Sequence, residues 1–284
     1  MSSPDPFMKL KTNASGTFYP KNPKALREML DSFASGPVPT LPGRPAGLLL
    51  PHAGYAYSGE VAVLGYRSLT KPPATVAVIG PSHSVAFAGT AIFSDEAVET
   101  PLGDILVDVE AARWLLEAHP GLRVHPPAFA REHSVEVHFP LIRHFLPGTQ
   151  VIPLVTGQGG AKVADPLARA LAKVAATRDL LVVASSDLCH YPAYDVAVQA
   201  DREFLEAILT GDEDAVEKTD RALMEKGWEE FHCTHCGHEP LLALMGFAKL
   251  MGAAKRKMLM YRNSGDTTGE RDRVVGYAAV AFCK

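Results

Sequence analysis

The stretch AGLLLPHAGY, residues 46–55, is a short apolar run that stops at a proline and a histidine. A run with no polar face reads as a strand covered on both sides, as in a parallel sheet. Three other segments have the same form: TVAVIG (75–80), QVIPLVTG (150–157) and DLLVVASS (179–186). Helical periodicity fills the intervals. In KNPKALREMLDSF (21–33), Leu26, Met29, Leu30 and Phe33 share one face behind Asn22 as N-cap and Pro23 at the first helical position. Further helices are predicted over 61–69, 109–118, 135–145, 161–176, 197–210 and 213–225. Alternating strands and helices predict an α/β fold with a mixed, largely parallel central sheet and helices on both faces. The segment KMLMYRNSGDTTGERDRVVGYAAVAF (257–282) reads as strand, polar loop, strand, closing the sheet with an antiparallel pair. With no internal repeat or break in composition, residues 1–284 read as a single domain.

Composition narrows the function classes. The chain has 284 residues, 47% of them hydrophobic, and a formal net charge of −4. That balance lacks the basic footprint that phosphate backbones require, so nucleic acid is excluded as a partner class. No apolar run approaches the roughly 20 residues that cross a bilayer, and MSSPDPFMKLKT lacks the apolar core of a signal peptide, so the expected location is cytoplasmic and off the membrane. The four cysteines, Cys189, Cys233, Cys236 and Cys283, are too few for a disulfide framework and read as free thiols or metal ligands.

Most of the eleven histidines sit in short motifs. AGLLLP delivers His52, TVAVIG delivers His83, and LLVVASS delivers Asp187 and His190, each just past the C-terminal end of a strand. Ligands of open α/β sheets bind beyond those ends, so the three strands predict one crevice. In REHSVEVHFPLI (131–142), His133 and His138 are five apart, about 140° off a common helical face, which is wrong for two ligands on one helix. Glu132, His133 and Glu136 read as pocket-lining or ligand-orienting groups, and His138 as a helix-surface or core residue. In HCTHCGH (232–238), the C-x2-C pair lacks the partner ligands of a zinc ribbon. Cys236 precedes a helix that begins near 239, and a thiolate at that dipole end is expected below the free value of about 8.5. Tyr55 is expected to pack and Tyr57 to face the pocket.

Together, PHAGYAYSG (51–59), GPSH (80–83), EHSVEVHFPLI, SSDLCHY (185–191), HCTHCGHEP and NSGDTTGERDRVVGYAAVAF resemble the Memo-like family, whose prokaryotic members are called AmmeMemoRadiSam system protein B. The family's fold is similar to that of the class III extradiol (LigB-like) non-haem iron dioxygenases. The resemblance implies one transition metal ion, Fe(II) or Cu foremost and Zn as a further candidate, held by His52, His83 and Cys236, with Asp187 and His190 in the same cavity. A thiolate where the dioxygenases place a carboxylate favours softer metals. Here His238-Glu239-Pro240 departs from relatives with a basic residue before the histidine, and Glu239 is a potential extra oxygen ligand. Two functions follow as expectations. One is a metal-dependent redox enzyme in which His190, oriented by Asp187, moves a proton, with His133 as the alternative acid or base. The other is a scaffold that captures a small molecule or peptide, or sequesters metal, without turnover. The family name also implies radical-SAM and AMMECR-type proteins as partners.

Overall fold

The structure, a computed structural model, describes residues 9–284. The lead-in read as lacking a signal peptide falls mostly on residues 1–8, outside the described residues. Eleven strands are formed by the described residues: β1 (Lys9–Leu10), β2 (Pro45–Leu50), β3 (Thr75–Pro81), β4 (Thr90–Ile92), β5 (Ala97–Val98), β6 (Ile105–Leu106), β7 (Leu122–Val124), β8 (Gln150–Thr156), β9 (Leu180–Ser185), β10 (Lys255–Asn263) and β11 (Gly276–Cys283). The helices are α1 (Pro23–Phe33), α2 (Tyr55–Arg67), α3 (Val109–Ala118), α4 (His138–Phe145), α5 (Ala161–Ala175), α6 (Tyr194–Thr210), α7 (Glu213–Glu225), α8 (His238–Leu250) and the short α9 (Ser264–Thr268).

The main sheet has the order β10-β11-β2-β9-β3-β8-β4-β7, and its centre, β2-β9-β3-β8, is parallel throughout. As expected, β10 and β11 close one side antiparallel. Each central strand alternates between two cores, which is why its sequence is apolar without a break. Leu49, Ala77, Ile79, Val182 and Ala184 face α3, α5, α6, α7 and α8. Leu48, Leu50, Val76, Val78, Leu181 and Val183 face α1, α2 and α4. Each fully buried leucine or valine contributes about 1.5–3 kcal/mol.

Asn22 caps α1 as read, accepting hydrogen bonds from the backbone of Lys24 and Ala25. Three helices start elsewhere than the sequence reading put them, α6 among them at Tyr194 rather than 197. Helix α2 begins at Tyr55 rather than 61, because Ala56, Ser58 and Gly59 give its first turns no apolar stripe to detect. Helix α4 begins at His138 rather than 135, because residues 134–137 form turns, with the N–H groups of His138 and Phe139 bonded three residues back. No described helix is long and apolar enough to cross a membrane.

Candidate metal centre

Strand β9 lies between β2 and β3, with Leu50 opposite Ser185 and Ile79 opposite Ala184. The residues that follow these strands therefore emerge along one edge of the sheet. Asp187 staples two of the turns: its Oδ1 accepts the N–H groups of His52 at 2.8 Å and Ala53 at 3.3 Å. Next to it, Ser185 Oγ lies 2.8 Å from His52 Nδ1. On the β3 side Glu132 grips His83 twice, accepting its backbone N–H at 2.5 Å and meeting its Nδ1 at 2.9 Å. The same carboxylate accepts the N–H of Ser134 at 2.9 Å. With Nδ1–H donated to Glu132, the ring of His83 keeps Nε2 for a ligand.

Cys236 reaches the same place from the start of α8. A Cβ at Gly237 would lie 2.5 Å from Ser186 Cβ and 2.6 Å from the Ser185 carbonyl oxygen, so only glycine permits this approach. The Gly237 N–H donates to Ser186 Oγ and the Cys236 N–H to the Asp187 carbonyl. Cys236 Sγ thereby stands 3.2 Å from His52 Nε2, 184 positions away in sequence.

Among the described residues two groups of potential ligand atoms result, each with all members within 4.8 Å of one another: His52, His83 and His133, and His52, Asp187 and Cys236. His52 belongs to both. His133, read from sequence as a proton-transfer or orienting group, is brought among the imidazoles by stacking between Phe18 at 4.3 Å and His83 at 4.7 Å. Glu132 orients a histidine, whereas Glu136 faces the other way and binds the backbone of Asn13 and Ala14 and the Tyr19 hydroxyl. Imidazoles, a thiol and one carboxyl this close suit a borderline or soft transition metal better than Mg²⁺ or Ca²⁺, which favour all-oxygen shells.

The electrostatics favour neutral imidazoles. Burial pulls His52 well below its ordinary value, helped by His83 and His133, and holds His133 down at about 4. Asp187 is pushed up to about 7 by burial, against the pull of the two N–H donors. Glu132 moves the other way: burial opposes it, but the hydrogen bond and charge of His83 and the surrounding N–H groups hold it low. Cys236 reverses the sequence expectation. Burial, and then Asp187, push its thiol well above the ordinary range, outweighing the start of α8, so a cation is needed to make it a thiolate.

Other expectations are corrected. Asp187 does not orient His190, whose Nδ1 instead lies 2.8 Å from the Leu188 carbonyl and 3.4 Å from Cys233 Sγ. Tyr55 packs as read and donates to the Val137 carbonyl at 2.5 Å, but Tyr57 is 44% exposed and does not line the cleft beside the centre. Glu239 turns its Oε1 to the N–H groups of Gly159 and Gly160 rather than joining either ligand group. In HCTHCGH, His235 stacks on Phe204, and His232 is paired with Glu230 at the surface. His138 is a core residue, bridging Tyr66 and Ser185.

His138 has a measurable consequence. Burial lowers it to about 3, so the unfolded chain binds its proton more readily than the folded one below the ordinary value. Its neutral burial favours the fold above that value and penalises it as pH falls. Between pH 7 and 5 this costs about 2 kcal/mol. Urea unfolding of the metal-free protein at both values, with His138→Gln alongside, is expected to show that much less pH dependence in the variant.

A cleft of about 510 Å³ opens beside the centre, lined by His83, Cys236, Glu239, Phe87 and Gln158 among others. A second, of about 580 Å³, lies at the far end of β2 and β9 around Arg44, Arg67 and Asp179, with no histidine or cysteine in its wall.

The fold and site define a class: a mixed α/β protein with imidazole and thiol donors gathered at the ends of its parallel strands. Residues 11–281 match the model of the Memo-like protein family. The chain is 32% identical to a MEMO1 family protein of Methanothermobacter thermautotrophicus, covering 93% of this chain and 96% of that one. It is 33% identical to a MEMO1 family protein of Nitrosopumilus maritimus, over 96% and 98% of the two chains. The protein belongs to the Memo-like family. Its fold is also similar to the crystal structure of an uncharacterised Escherichia coli K12 protein, with a TM-score of 0.54 at 14% identity, covering 84% of this chain and all of that one.

Proposed function

We propose that the protein binds one transition metal ion through His52, His83 and Cys236 and uses it in redox chemistry on a small ligand held in the adjoining cleft. The approach of Cys236 Sγ to His52 Nε2 at 3.2 Å carries this reading, since a half-buried thiol and a buried imidazole face each other at a strand-end crevice. When bound, Fe or Cu would supply electron transfer and Zn would supply only Lewis acidity. The chain's own groups do the rest. His133 stands beside the ligand set as a further donor or a base, held neutral near physiological pH. His190, with Nδ1–H given to the Leu188 carbonyl, keeps a bare Nε2 and accepts a proton; burial, countered by that hydrogen bond, holds it below its ordinary value. Phe18 stacks on the His133 ring and steadies it.

The second reading is capture of a peptide or small molecule without turnover, favoured by the open rim, where the His83 side chain is 34% exposed. Association with radical-SAM and AMMECR-type proteins rests on the family resemblance. Elemental analysis of anaerobically purified protein tests the metal claim: His52→Ala and Cys236→Ala are expected to lose the metal that the unaltered chain retains, and wild-type stoichiometry in both variants would sink it. Oxygen uptake by the loaded protein with ascorbate separates the two readings, since a capture protein consumes none.

A further inference from the structure

We propose that Ser185, backed by His138 and Tyr66, is a positioning residue that fixes His52 in the tautomer presenting a bare Nε2 to the metal. The inference rests on the metal-site reading above and assigns roles to three residues outside the ligand set.

The direction of each hydrogen bond follows from the oxygen at the hub. Ser185 Oγ has three neighbours: the Ser134 carbonyl oxygen at 2.6 Å, His52 Nδ1 at 2.8 Å and His138 Nε2 at 2.9 Å. A carbonyl cannot donate, and two oxygens 2.6 Å apart without a hydrogen between them repel, so the single hydroxyl proton points at Ser134. The hydroxyl then has only lone pairs left, and both imidazole nitrogens must be N–H donors. A ligating imidazole is neutral, so His52 with Nδ1–H has a bare Nε2, the atom that faces Cys236 Sγ. His138, with Nε2–H, has a bare Nδ1, and the Tyr66 hydroxyl lies 3.0 Å from it with a proton to give. The whole chain closes with one assignment: Tyr66 to His138, His138 and His52 to Ser185, Ser185 to the Ser134 carbonyl. Ser185 and His138 are fully buried and Tyr66 nearly so, leaving water no role as an alternative partner.

Two arms provide the test. In metal-free protein with ¹⁵N-labelled histidine, long-range ¹H–¹⁵N spectra are expected to show His52 protonated at Nδ1 only and His138 at Nε2 only. His52 protonated at Nε2 overturns the proposal without any variant. Zn²⁺ titration of Ser185→Ala is expected to show affinity lowered about 10–100-fold, with the His52 tautomer no longer uniform. Tyr66→Phe, two residues further from the metal, is expected to redistribute the His138 tautomers while weakening Zn²⁺ binding less. Unchanged tautomers and affinity in Ser185→Ala contradict the role of the serine; an unchanged His138 tautomer in Tyr66→Phe contradicts that of the tyrosine. Failure of the unaltered protein to bind Zn²⁺ or Cu(I) counts against the metal reading, and the His52 spectrum still decides the hydrogen-bond assignment.

Discussion

Cys236→Ala is expected to weaken Cu(I) and Zn²⁺ binding by about 100-fold or more, corresponding to about 2.7 kcal/mol. The sulfur is the one soft donor in either ligand group, and its loss leaves imidazoles and the Asp187 carboxyl, a set that retains harder ions better. Cys236→Asp is the informative companion. It restores two imidazoles and a carboxylate, so the preference is expected to move toward Fe(II) while total affinity partly recovers. Competition titrations with a colorimetric chelator measure both. The proton count gives a second handle: because burial holds the Cys236 thiol protonated in the metal-free protein, metal binding must release its proton, and affinity is expected to fall as pH falls. In Cys236→Ala that pH dependence is expected to shrink. Equal Cu(I) affinity in the alanine variant would place the sulfur outside the site.

The largest expected effect on stability lies at Glu136. Its carboxylate receives three donors at 2.6–2.8 Å, from the backbone of Asn13 and Ala14 and the hydroxyl of Tyr19. Burial raises the carboxyl, and the hydrogen bonds it accepts, that of Tyr19 foremost, oppose that rise. Glu136→Ala would strand all three donors, two of them in buried surroundings, and is expected to cost about 3–5 kcal/mol by urea unfolding. The segment it anchors carries Phe18, which stacks on His133, so the variant is also expected to expose Lys11 and Lys21 to trypsin faster than the parent. A cost below about 1 kcal/mol would mean that the 13–19 segment is held by its other contacts.

The strands were legible because burial on both faces leaves an uninterrupted apolar run. The same logic located His52 and His83, since each follows such a run. The family motif and the helix that follows it point to Cys236 but not to its protonation: a helix start is visible in sequence and the burial of a thiol against Asp187 is not. Asp187 and His190 are neighbours in sequence, which suggested a pair, yet the carboxylate turns across to the N–H groups of His52 and Ala53 on the adjacent strand end. The inclusion of His133 among the imidazoles depends on Glu132 tying its own turn to the backbone of His83, a tertiary contact with no local signature. In sequence Ser185 is only the end of a strand; its hub role requires three partners from beyond that strand.

X-ray absorption at the zinc edge of the Zn²⁺-loaded protein tests the central claim most directly. Coordination by His52, His83 and Cys236 predicts one sulfur at about 2.3 Å together with imidazole nitrogens at about 2.0 Å. A first shell of nitrogen and oxygen alone would contradict it.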